Sequence, residues 1–373
     1  MAWTPATVKL FAVAATLILL LAITYRSHSS LTLSYLDQVR PETSYEREDI
    51  PNILHIVFVK KDEYSHLYFG FASFLSIYSA LHYTKSDRIY LHTDFSDDTI
   101  ANLRSSSLGK PEDKWTQAVL DLPQLHINHV TTINRTDAGV EIKLVQHKSD
   151  FVRTNVVRDW GGMYFDTDVF LLRDTKPLRE AGFRNVFGRE NPGGLVNNGI
   201  FLARPNTATL EILDRAAHLN FDGGWNKHSS QTWSQVCERL HDYPNEVLIL
   251  DDGAFCPTSW EEPSVRGLFE PFLDEDEFPP ATARLKAENM DPSQWWQLSR
   301  ESKKEGELDF SRAYVIHSFE RRFEGHTSNI PGYTGVTPAY VFARQSNFAR
   351  AVYPAARDAY NRGFFTDDDL ELL

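Results

Sequence analysis

Residues 148–172, KSDFVRTNVVRDWGGMYFDTDVFLL, constrain this chain most, because a helical pattern there runs through two glycines into an acidic segment. Around the start of the segment, five side chains recur at helical spacing: Ile142, Val145, Val152, Val156 and Trp160. Gly161 and Gly162 predict the end of this helix. The stretch that follows is apolar on both sides of Asp166 and Asp168. Residues two apart in an extended segment face the same way, so these carboxylates would converge on one point.

Such a pair of carboxylates predicts a divalent cation site. Mg²⁺ and Mn²⁺ prefer hard oxygen ligands, and they take part of their coordination shell from phosphate and water. On the preceding helix, Asp150 and Arg153 lie three residues apart, close enough to share one ligand or to form an ordinary surface ion pair. We interpret the segment as a metal and diphosphate site, in which Asp166, Asp168 and Arg153 would stabilise the charge of a leaving diphosphate.

The ordered combination of SD..R, a helix, GG.Y.DTD and an apolar strand resembles the DXD glycosyltransferases of the sugar-binding-region family. That family includes fungal initiating mannosyltransferases and vertebrate α-1,4-galactosyltransferases, and it is related to the glucosylating clostridial toxins. Two other segments are similar to family strands: IPNILHIVF at residues 50–58 and NNGIFLARP at residues 197–205. The resemblance implies a GT-A-like fold and transfer of a hexose from a nucleotide sugar with retention of anomeric configuration. In such enzymes the leaving diphosphate can accept the acceptor's proton, so the resemblance implies no protein nucleophile.

The resemblance also implies which residues bind the metal. Asp166 and Asp168 match the family's DXD carboxylates, and the implied cofactor is Mn²⁺ or Mg²⁺. His317, in AYVIHSF, matches a position that would add a further metal or phosphate ligand, although a histidine on an apolar strand is also typical of a core. Relatives often carry Trp shortly after this histidine, where the present chain has Ser318 and Phe319.

A second set of residues would bind the donor. Asp150 and Arg153 match the helix pair that holds sugar hydroxyls and the diphosphate region in related toxins. Phe58 falls where relatives often carry Trp stacked on the nucleobase, although it also fits a core position. Asn197 and Asn198 match polar residues near the acceptor side. The donor-binding residues implied in this way are Phe58, Asp150, Arg153, Tyr164, Asp166 and Asn198.

The sequence leaves the substrates of such an enzyme open. UDP-galactose, UDP-glucose, a UDP-N-acetylhexosamine and GDP-mannose all stay open as the donor. A protein glycan, a glycolipid and a wall polymer stay open as the acceptor. The net charge is −13 and the chain has no long basic run, which argues against a nucleic-acid partner.

Strand and helix patterns alternate before the acidic segment. Strands are predicted at residues 53–59, 88–92 and 125–130, and helices at residues 69–83, 98–104 and 115–120. This alternation predicts a mostly parallel central sheet with helices on both faces, so residues 50–373 would form one α/β catalytic domain. Residues 339–362 predict a late helix that begins after Thr337 and Pro338 and bends or breaks at Pro354.

The N-terminal region carries an apolar run, LFAVAATLILLLAITY, at residues 10–25. We interpret residues 1–26 as the transmembrane helix of a type II membrane protein, with a cleaved signal peptide as the alternative. Residues 27–49 are polar and predict a stem. The resemblance implies a Golgi or endoplasmic reticulum membrane, with the catalytic domain in the lumen.

Two other functions stay open on the sequence alone. The segment YFDTDVFLL also fits aspartate-nucleophile phosphatases, in which Asp166 would attack phosphate and Asp168 would act as acid and base. In that interpretation VLILDDG would supply the later acidic pair, Asp251 and Asp252. The second alternative is a non-catalytic, membrane-anchored glycan-binding protein.

Two residue types support more than one interpretation. Cys237 and Cys256 would form either one disulfide or two buried thiols. Several tryptophans would either line a sugar-binding face or pack in the core: Trp225, Trp233, Trp260, Trp295 and Trp296.

Overall fold

The structure is a computed structural model that describes residues 48–105, 113–272, 306–319, 330–331 and 333–371. The predicted membrane anchor at residues 1–26 lies outside the described residues, as does all of the predicted stem except its last two positions. Within the described ranges, no helix combines the length and the apolar character that crossing a membrane requires.

A seven-stranded sheet with the order β3-β2-β1-β4-β7-β6-β8 forms the centre of the fold, and β5 and β9 form a separate pair. The strands are β1 (Ile53–Val57), β2 (Arg88–Thr93), β3 (Leu125–His129), β4 (Gly162–Phe165), β5 (Val169–Leu171), β6 (Asn185–Arg189), β7 (Val196–Ala203), β8 (Val247–Leu250) and β9 (Val315–His317). β1 runs parallel to β2 and β4, β2 to β3, and β6 to β8, whereas β7 is antiparallel to β4 and β6. The prediction of a mostly parallel sheet is therefore confirmed, with β7 as the reversed strand.

Helices lie between most strands, as the alternating pattern predicts. They are α1 (Phe71–Thr84), α2 (Asp97–Ser105), α3 (Lys114–Leu120), α4 (Val145–Trp160), α5 (Lys176–Arg179), α6 (Ala208–Asn220), α7 (Thr232–Leu240), α8 (Asp252–Phe255), α9 (Glu262–Phe269), α10 (Pro338–Ala343), α11 (Asn347–Asn361) and α12 (Asp367–Glu371). A π-helical turn, Lys227–Gln231, precedes α7 directly. The predicted bounds of the early helices agree with α1, α2 and α3 to within two residues at each end.

The sheet is covered on both faces because side chains alternate along its strands. On β7, Ile200 and Leu202 pack in a core with residues of α1 and α11, whereas Phe201 packs in a second core with residues of α4, α6 and α7. Tyr164 of β4 belongs to the second core, and its neighbour Met163 belongs to the first. The second core brings α4, which carries Asp150 and Arg153, against the sheet.

The late helix differs from its prediction. It is divided into α10 and α11 at Arg344, which has a left-handed backbone (φ 55°), and Ser346 then caps α11 by accepting a hydrogen bond from the Ala349 amide. Pro354 lies inside α11 and does not end it. Of the predicted bend or break at Pro354, the break was wrong, because a left-handed residue followed by a capping serine ends and restarts a helix more completely than one missing N–H; the bend stays a prediction. The predicted start is confirmed, since Thr337 caps α10.

A buried chain of side chains ties three strands to the turn that ends α4. The Asn128 amide donates to His92 Nδ1 at 2.9 Å, His92 Nε2 lies 2.9 Å from His55 Nδ1, and His55 Nε2 lies 2.7 Å from the Gly161 carbonyl. The chain begins at an amide N–H, which donates, and it ends at a carbonyl, which accepts. A neutral imidazole has one acceptor and one donor nitrogen, so all three hydrogen bonds form when both rings are neutral. Burial lowers the pKa of His55 to about 4 and that of His92 to about 2, which agrees with neutral rings.

The two glycines after α4 are required by both conformation and space. Gly161 and Gly162 have φ values of 64° and 117°, which L side chains rarely adopt. A Cβ on Gly161 would lie 2.6 Å from the Pro205 ring, and one on Gly162 would lie 2.6 Å from the Ile53 carbonyl. The glycines therefore allow α4 to turn directly into β4, whose end carries Asp166.

Candidate active site

Asp166 and Asp168 lie in a turn between β4 and β5. The Val169 amide donates to the Asp166 carbonyl at 3.0 Å and closes the turn. The prediction of an extended segment was therefore wrong at these positions, although the two carboxylates do come together. They approach because the turn directs the chain out of the central sheet into β5, which pairs with β9.

His317 is the third member of this group, and the sheet pairing brings it there. It lies opposite Val169 in the β5–β9 pair. One ligand atom from each of Asp166, Asp168 and His317 lies within 4.8 Å of the others. Two carboxylates and an imidazole provide the oxygen and nitrogen ligands that a divalent cation such as Mn²⁺ accepts, so the donor set fits a metal.

The environment of His317 is strongly electrostatic. Its side chain is buried, and Nε2 lies 3.3 Å from Asp168 Oδ1. Burial alone would lower the pKa of His317, but the negative charge of Asp168 raises it to about 10. Phe319 stacks on the imidazole with ring centroids 3.9 Å apart, where relatives often carry Trp nearby. His317 is therefore neither a purely apolar core residue nor a solvent-exposed one.

Arg153 connects the two halves of the site. Its guanidinium contacts both carboxylate oxygens of Asp166 at 3.1 and 3.3 Å and Asp150 at 3.3 Å, and it donates to the Asn198 carbonyl at 3.2 Å. It also lies 4.7 Å from the centre of the Tyr164 ring. The side chains of Arg153 and Asp150 are only 7% and 15% exposed, so the alternative of an ordinary surface ion pair is wrong.

Asp166 is held by several groups at once. Besides Arg153, the Tyr164 hydroxyl donates to its Oδ1 at 2.6 Å. Gly199 lies directly behind the carboxylate, and a Cβ on this glycine would come within 2.5 Å of Asp166 Oδ2. Burial raises the pKa of Asp166, Arg153 lowers it and Asp168 raises it further, with a net increase above its usual value. The orientation of this carboxylate is thus determined by β4, β7 and α4 together.

Asp150 accepts bonds from three sides. Asn198 Nδ2 donates to Oδ1 at 2.9 Å, Arg153 lies beside the same oxygen, and His228 Nε2 lies 2.9 Å from Oδ2. Burial would raise the pKa of Asp150, but Arg153 and the bond to His228 lower it below its usual value. The sequence analysis missed His228, and no local signal points to it, because it lies 78 residues from Asp150 along the chain.

These residues share one cavity of about 620 Å³. Its walls come from β1 and the residues after it, α4, β4, the turn at Asp166–Asp168, β7, the π-helical turn and β9. They contain every site residue that the sequence predicts: Phe58, Asp150, Arg153, Tyr164, Asp166, Asp168, Asn197, Asn198 and His317. Phe58 is half-buried and packs against Phe69 and Phe95, so it belongs to the edge of the core as well as to the cavity. Its stacking on a nucleobase stays a prediction.

The tryptophans divide between core and cavity. Trp233 is buried in the second core, whereas Trp225 and Trp260 line the cavity and are 37% and 38% exposed. Trp295 and Trp296 lie outside the described residues. Cys237 and Cys256 are both buried free thiols, which decides against the disulfide.

The acidic pair that a phosphatase would need lies elsewhere. Asp251 forms an ion pair with Arg312, and Asp252 begins α8. Neither side chain is among the described residues that line the cavity. The geometry therefore separates the DXD turn from the second acidic pair of the phosphatase interpretation.

The family comparison agrees with this geometry. Residues 72–184 match the family described as glycosyltransferase sugar-binding region containing DXD motif. This segment is therefore similar to the DXD glycosyltransferases. It extends from α1 to the residues before β6 and contains Asp150, Arg153 and the DXD turn.

Two curated fungal proteins are similar to the chain. Glucan organizing enzyme 1 of Cryptococcus neoformans var. grubii is 27% identical over 214 residues, which cover 53% of this chain and 50% of that protein. Glycosyltransferase afumC of Aspergillus fumigatus is 26% identical over 183 residues, which cover 43% of this chain and 41% of that protein. The match thus spans half or less of each relative's length. The family segment and these named relatives indicate a glycosyltransferase.

Solved glycosyltransferase structures are also similar to the chain. PaToxG glycosyltransferase matches 60% of this chain and 80% of its own at 14% identity, with a TM-score of 0.34. Glycosyltransferase GlyE of Streptococcus pneumoniae matches 85% of this chain and 64% of its own at 10% identity, with a TM-score of 0.38.

Proposed function

We propose that this protein is a metal-dependent glycosyltransferase that moves a hexose from a nucleoside diphosphate sugar to a glycan or glycolipid acceptor. One observation carries the proposal: Asp166, Asp168 and His317 converge within 4.8 Å on the wall of the cavity that also contains Asp150 and Arg153. A cavity of this size is suited to a small-molecule ligand.

The chemistry of the reaction explains why these groups lie together. Departure of the sugar builds negative charge on the diphosphate, and a bound Mn²⁺ or Mg²⁺ would neutralise that charge as a Lewis acid. Asp166 and Asp168 would hold the cation, with His317 as a third ligand. An imidazole must be neutral to bind a metal, so the cation would replace the proton that His317 shares with Asp168. Arg153 keeps the Asp166 carboxylate in place through two contacts.

The sugar would lie at the other end of the ion-pair network. Asp150 and Asn198 present carboxylate and amide groups that match the hydroxyls of a hexose, and both line the cavity. Retention of anomeric configuration is part of the proposal because the family resemblance implies it. The leaving diphosphate would then accept the acceptor's proton, and no side chain of the cavity is assigned as a nucleophile.

The exposed tryptophans support a carbohydrate acceptor. An indole that stays partly exposed in a polar cavity can pack against the apolar C–H face of a pyranose ring, and Trp225 and Trp260 are both placed to do so. The name of one fungal relative, glucan organizing enzyme 1, makes a glucan one acceptor to test.

The deciding experiment is a donor screen. Purified protein is incubated with UDP-galactose, UDP-glucose, UDP-N-acetylglucosamine or GDP-mannose, with Mn²⁺ or with chelator, and release of the nucleoside diphosphate is measured. We expect turnover of one donor that chelator abolishes and added Mn²⁺ restores. Lack of turnover with every donor would favour the glycan-binding alternative. Phosphate release from a generic phosphate ester would favour the phosphatase.

We further propose that residues 1–26 anchor the protein in the Golgi or endoplasmic reticulum membrane with the cavity in the lumen. The apolar run at residues 10–25 supports this proposal. The full-length protein should resist extraction from membranes at alkaline pH, and intact vesicles should protect it from added protease. Release at alkaline pH would contradict the anchor, and digestion in intact vesicles would contradict the orientation.

A further inference from the structure

His228 stands directly behind the Asp150 carboxylate. It lies in the π-helical turn, where the backbone leaves helical geometry at Ser229. Ser229 and Ser230 of the same turn line the cavity together with Asp150, whereas His228 is not among the described residues that line it. The histidine therefore contacts Asp150 from the side opposite to the ligand space.

Among the described residues, the buried ring of His228 has one hydrogen-bond partner, Asp150. The His228 side chain is 1% exposed, and its ring is stacked on Phe151 and packed edge-on against Phe221 and His147. Within the part of the chain that the structure describes, its Nδ1 has no hydrogen-bond partner. Burying a polar ring costs free energy unless its bonds compensate, so the bond from Nε2 to Asp150 is the interaction that explains a histidine at this position.

Each oxygen of Asp150 is bonded from a different direction. Asn198 and Arg153 contact Oδ1, and His228 contacts Oδ2. Bonds to both oxygens prevent the carboxylate from rotating about its last bond. Because a carboxylate oxygen has two lone pairs, Oδ2, which has His228 as its one partner among these three residues, keeps capacity to accept a further bond from a ligand hydroxyl.

We infer that His228 is a positioning residue that orients Asp150 so that its carboxylate accepts hydrogen bonds from the hydroxyls of the donor hexose. The inference rests on the proposed function and extends it to the sugar half of the donor. In this arrangement His228 would act on the hexose through Asp150, whereas the nucleoside diphosphate would lie at the end of the cavity that holds Asp166, Asp168 and His317. Loss of His228 should therefore weaken recognition of the nucleotide sugar more than binding of the nucleoside diphosphate alone.

Three variants at this position separate the roles of the ring. Gln can place an amide N–H near the position of Nε2, Asn reaches only as far as Nδ1, and Phe keeps the ring without a donor. We expect His228→Phe and His228→Asn to raise the KM for the nucleotide sugar about tenfold, the typical cost of one hydrogen bond to a charged group. His228→Gln should stay within about threefold of the wild type. Binding of the matching nucleoside diphosphate with Mn²⁺, measured by calorimetry, should change less than twofold in all three.

Controls make every outcome informative. His82→Phe removes a histidine that pairs with Asp358 outside the cavity, and it should leave both measurements unchanged. Unfolding temperatures identify any variant that fails to fold. If His228→Phe fails to fold, the comparison of His228→Gln with His228→Asn still tests the inference. Equal losses for the nucleotide sugar and for the nucleoside diphosphate would overturn the inference, as would wild-type KM values in His228→Asn. A wild type that turns over no donor would instead overturn the proposed function.

Discussion

Two buried histidine regions of this protein are in opposite electrostatic states. Beneath the sheet, burial lowers the pKa of His55 to about 4 and of His92 to about 2, and each ring's partners are neutral. In the cavity, burial acts in the same direction on His317, but the charge of Asp168 raises its pKa to about 10. The neighbouring group, and not burial alone, therefore decides the charge of a buried imidazole.

The difference corresponds to different tasks. The neutral pair, His55 and His92, has a hydrogen-bond partner at all four ring nitrogens. The last of these bonds joins His55 to the Gly161 carbonyl, so the pair stabilises the turn that leads to Asp166 and Asp168. The charged pair, His317 and Asp168, belongs to a cluster that also contains Asp166 and Arg153, which are ionisable and at least partly buried. A cluster of perturbed charges in a cavity is typical of a catalytic site, whereas a neutral buried pair is typical of a structural one.

Removing the carboxylate from the charged pair should have the largest effect. Asp168→Asn deprives His317 of its charged partner and the proposed cation of a ligand. We expect kcat/KM for the donor at saturating Mn²⁺ to fall about a thousandfold, equivalent to about 4 kcal/mol of transition-state stabilisation. Asp252→Asn, at the start of α8 and outside the cavity, is the matched control and should retain full activity. Activity of Asp168→Asn within tenfold of the wild type would refute a metal role for this residue.

Acid should have the second-largest effect, because protonation of the neutral His55–His92 pair destabilises the fold. The unfolded chain binds a proton at each histidine below about pH 6.5, whereas folded His55 binds one only near pH 4. Stability therefore falls as pH decreases from 6.5 towards 4, by about 3 kcal/mol for His55 alone. Urea unfolding of the wild type and His55→Asn at pH 7, 5 and 4 measures this loss, because the difference between the two proteins should shrink in acid. His129→Gln, which replaces a histidine of an exposed ion pair, is the control. A constant difference would contradict the neutral assignment.

Displacing Asp166 without changing its charge should have a smaller effect. Gly199→Ala would place a methyl group within 2.5 Å of Asp166 Oδ2 and push the carboxylate away from Arg153. We expect kcat/KM to fall about tenfold and the Mn²⁺ concentration for half-maximal activity to rise. Gly267→Ala in α9, where nothing lies within 4 Å of the added Cβ, is the control. An unchanged Mn²⁺ requirement would show that the position of this carboxylate is not critical.

The smallest change should occur at the cavity wall. Trp225→Ala removes the apolar surface that we propose for the acceptor and leaves the charged cluster intact. We expect the KM for the acceptor to rise about fivefold, near 1 kcal/mol, while hydrolysis of the donor in the absence of acceptor stays constant. Tyr243→Ala, which is 39% exposed and outside the described cavity wall, should alter neither measurement. A fall in donor hydrolysis in Trp225→Ala would place this tryptophan with the donor instead.

Local patterns predicted most of the regular structure before the acidic segment. α4, with its apolar stripe and its terminal glycines, lies at Val145–Trp160, so the spacing is confirmed from Val145 onwards, whereas Ile142 lies before the helix begins. The late helix shows the limit of the same method. Sequence rules identify Pro354 as a breaker, yet the division falls at Arg344, because a residue's left-handed conformation depends on how the flanking helices pack.

Local sequence patterns identified the charged residues of the site, because Asp166 and Asp168, and likewise Asp150 and Arg153, are each separated by only two or three positions. Tertiary contacts bring the remaining groups together: β9 pairs with β5, which places His317 opposite Val169 and in contact with Asp168, and His228 contacts Asp150 from 78 residues away along the chain. The physical reason is that such contacts depend on sheet pairing and helix packing between distant segments. A pattern confined to neighbouring residues carries no signal of that pairing.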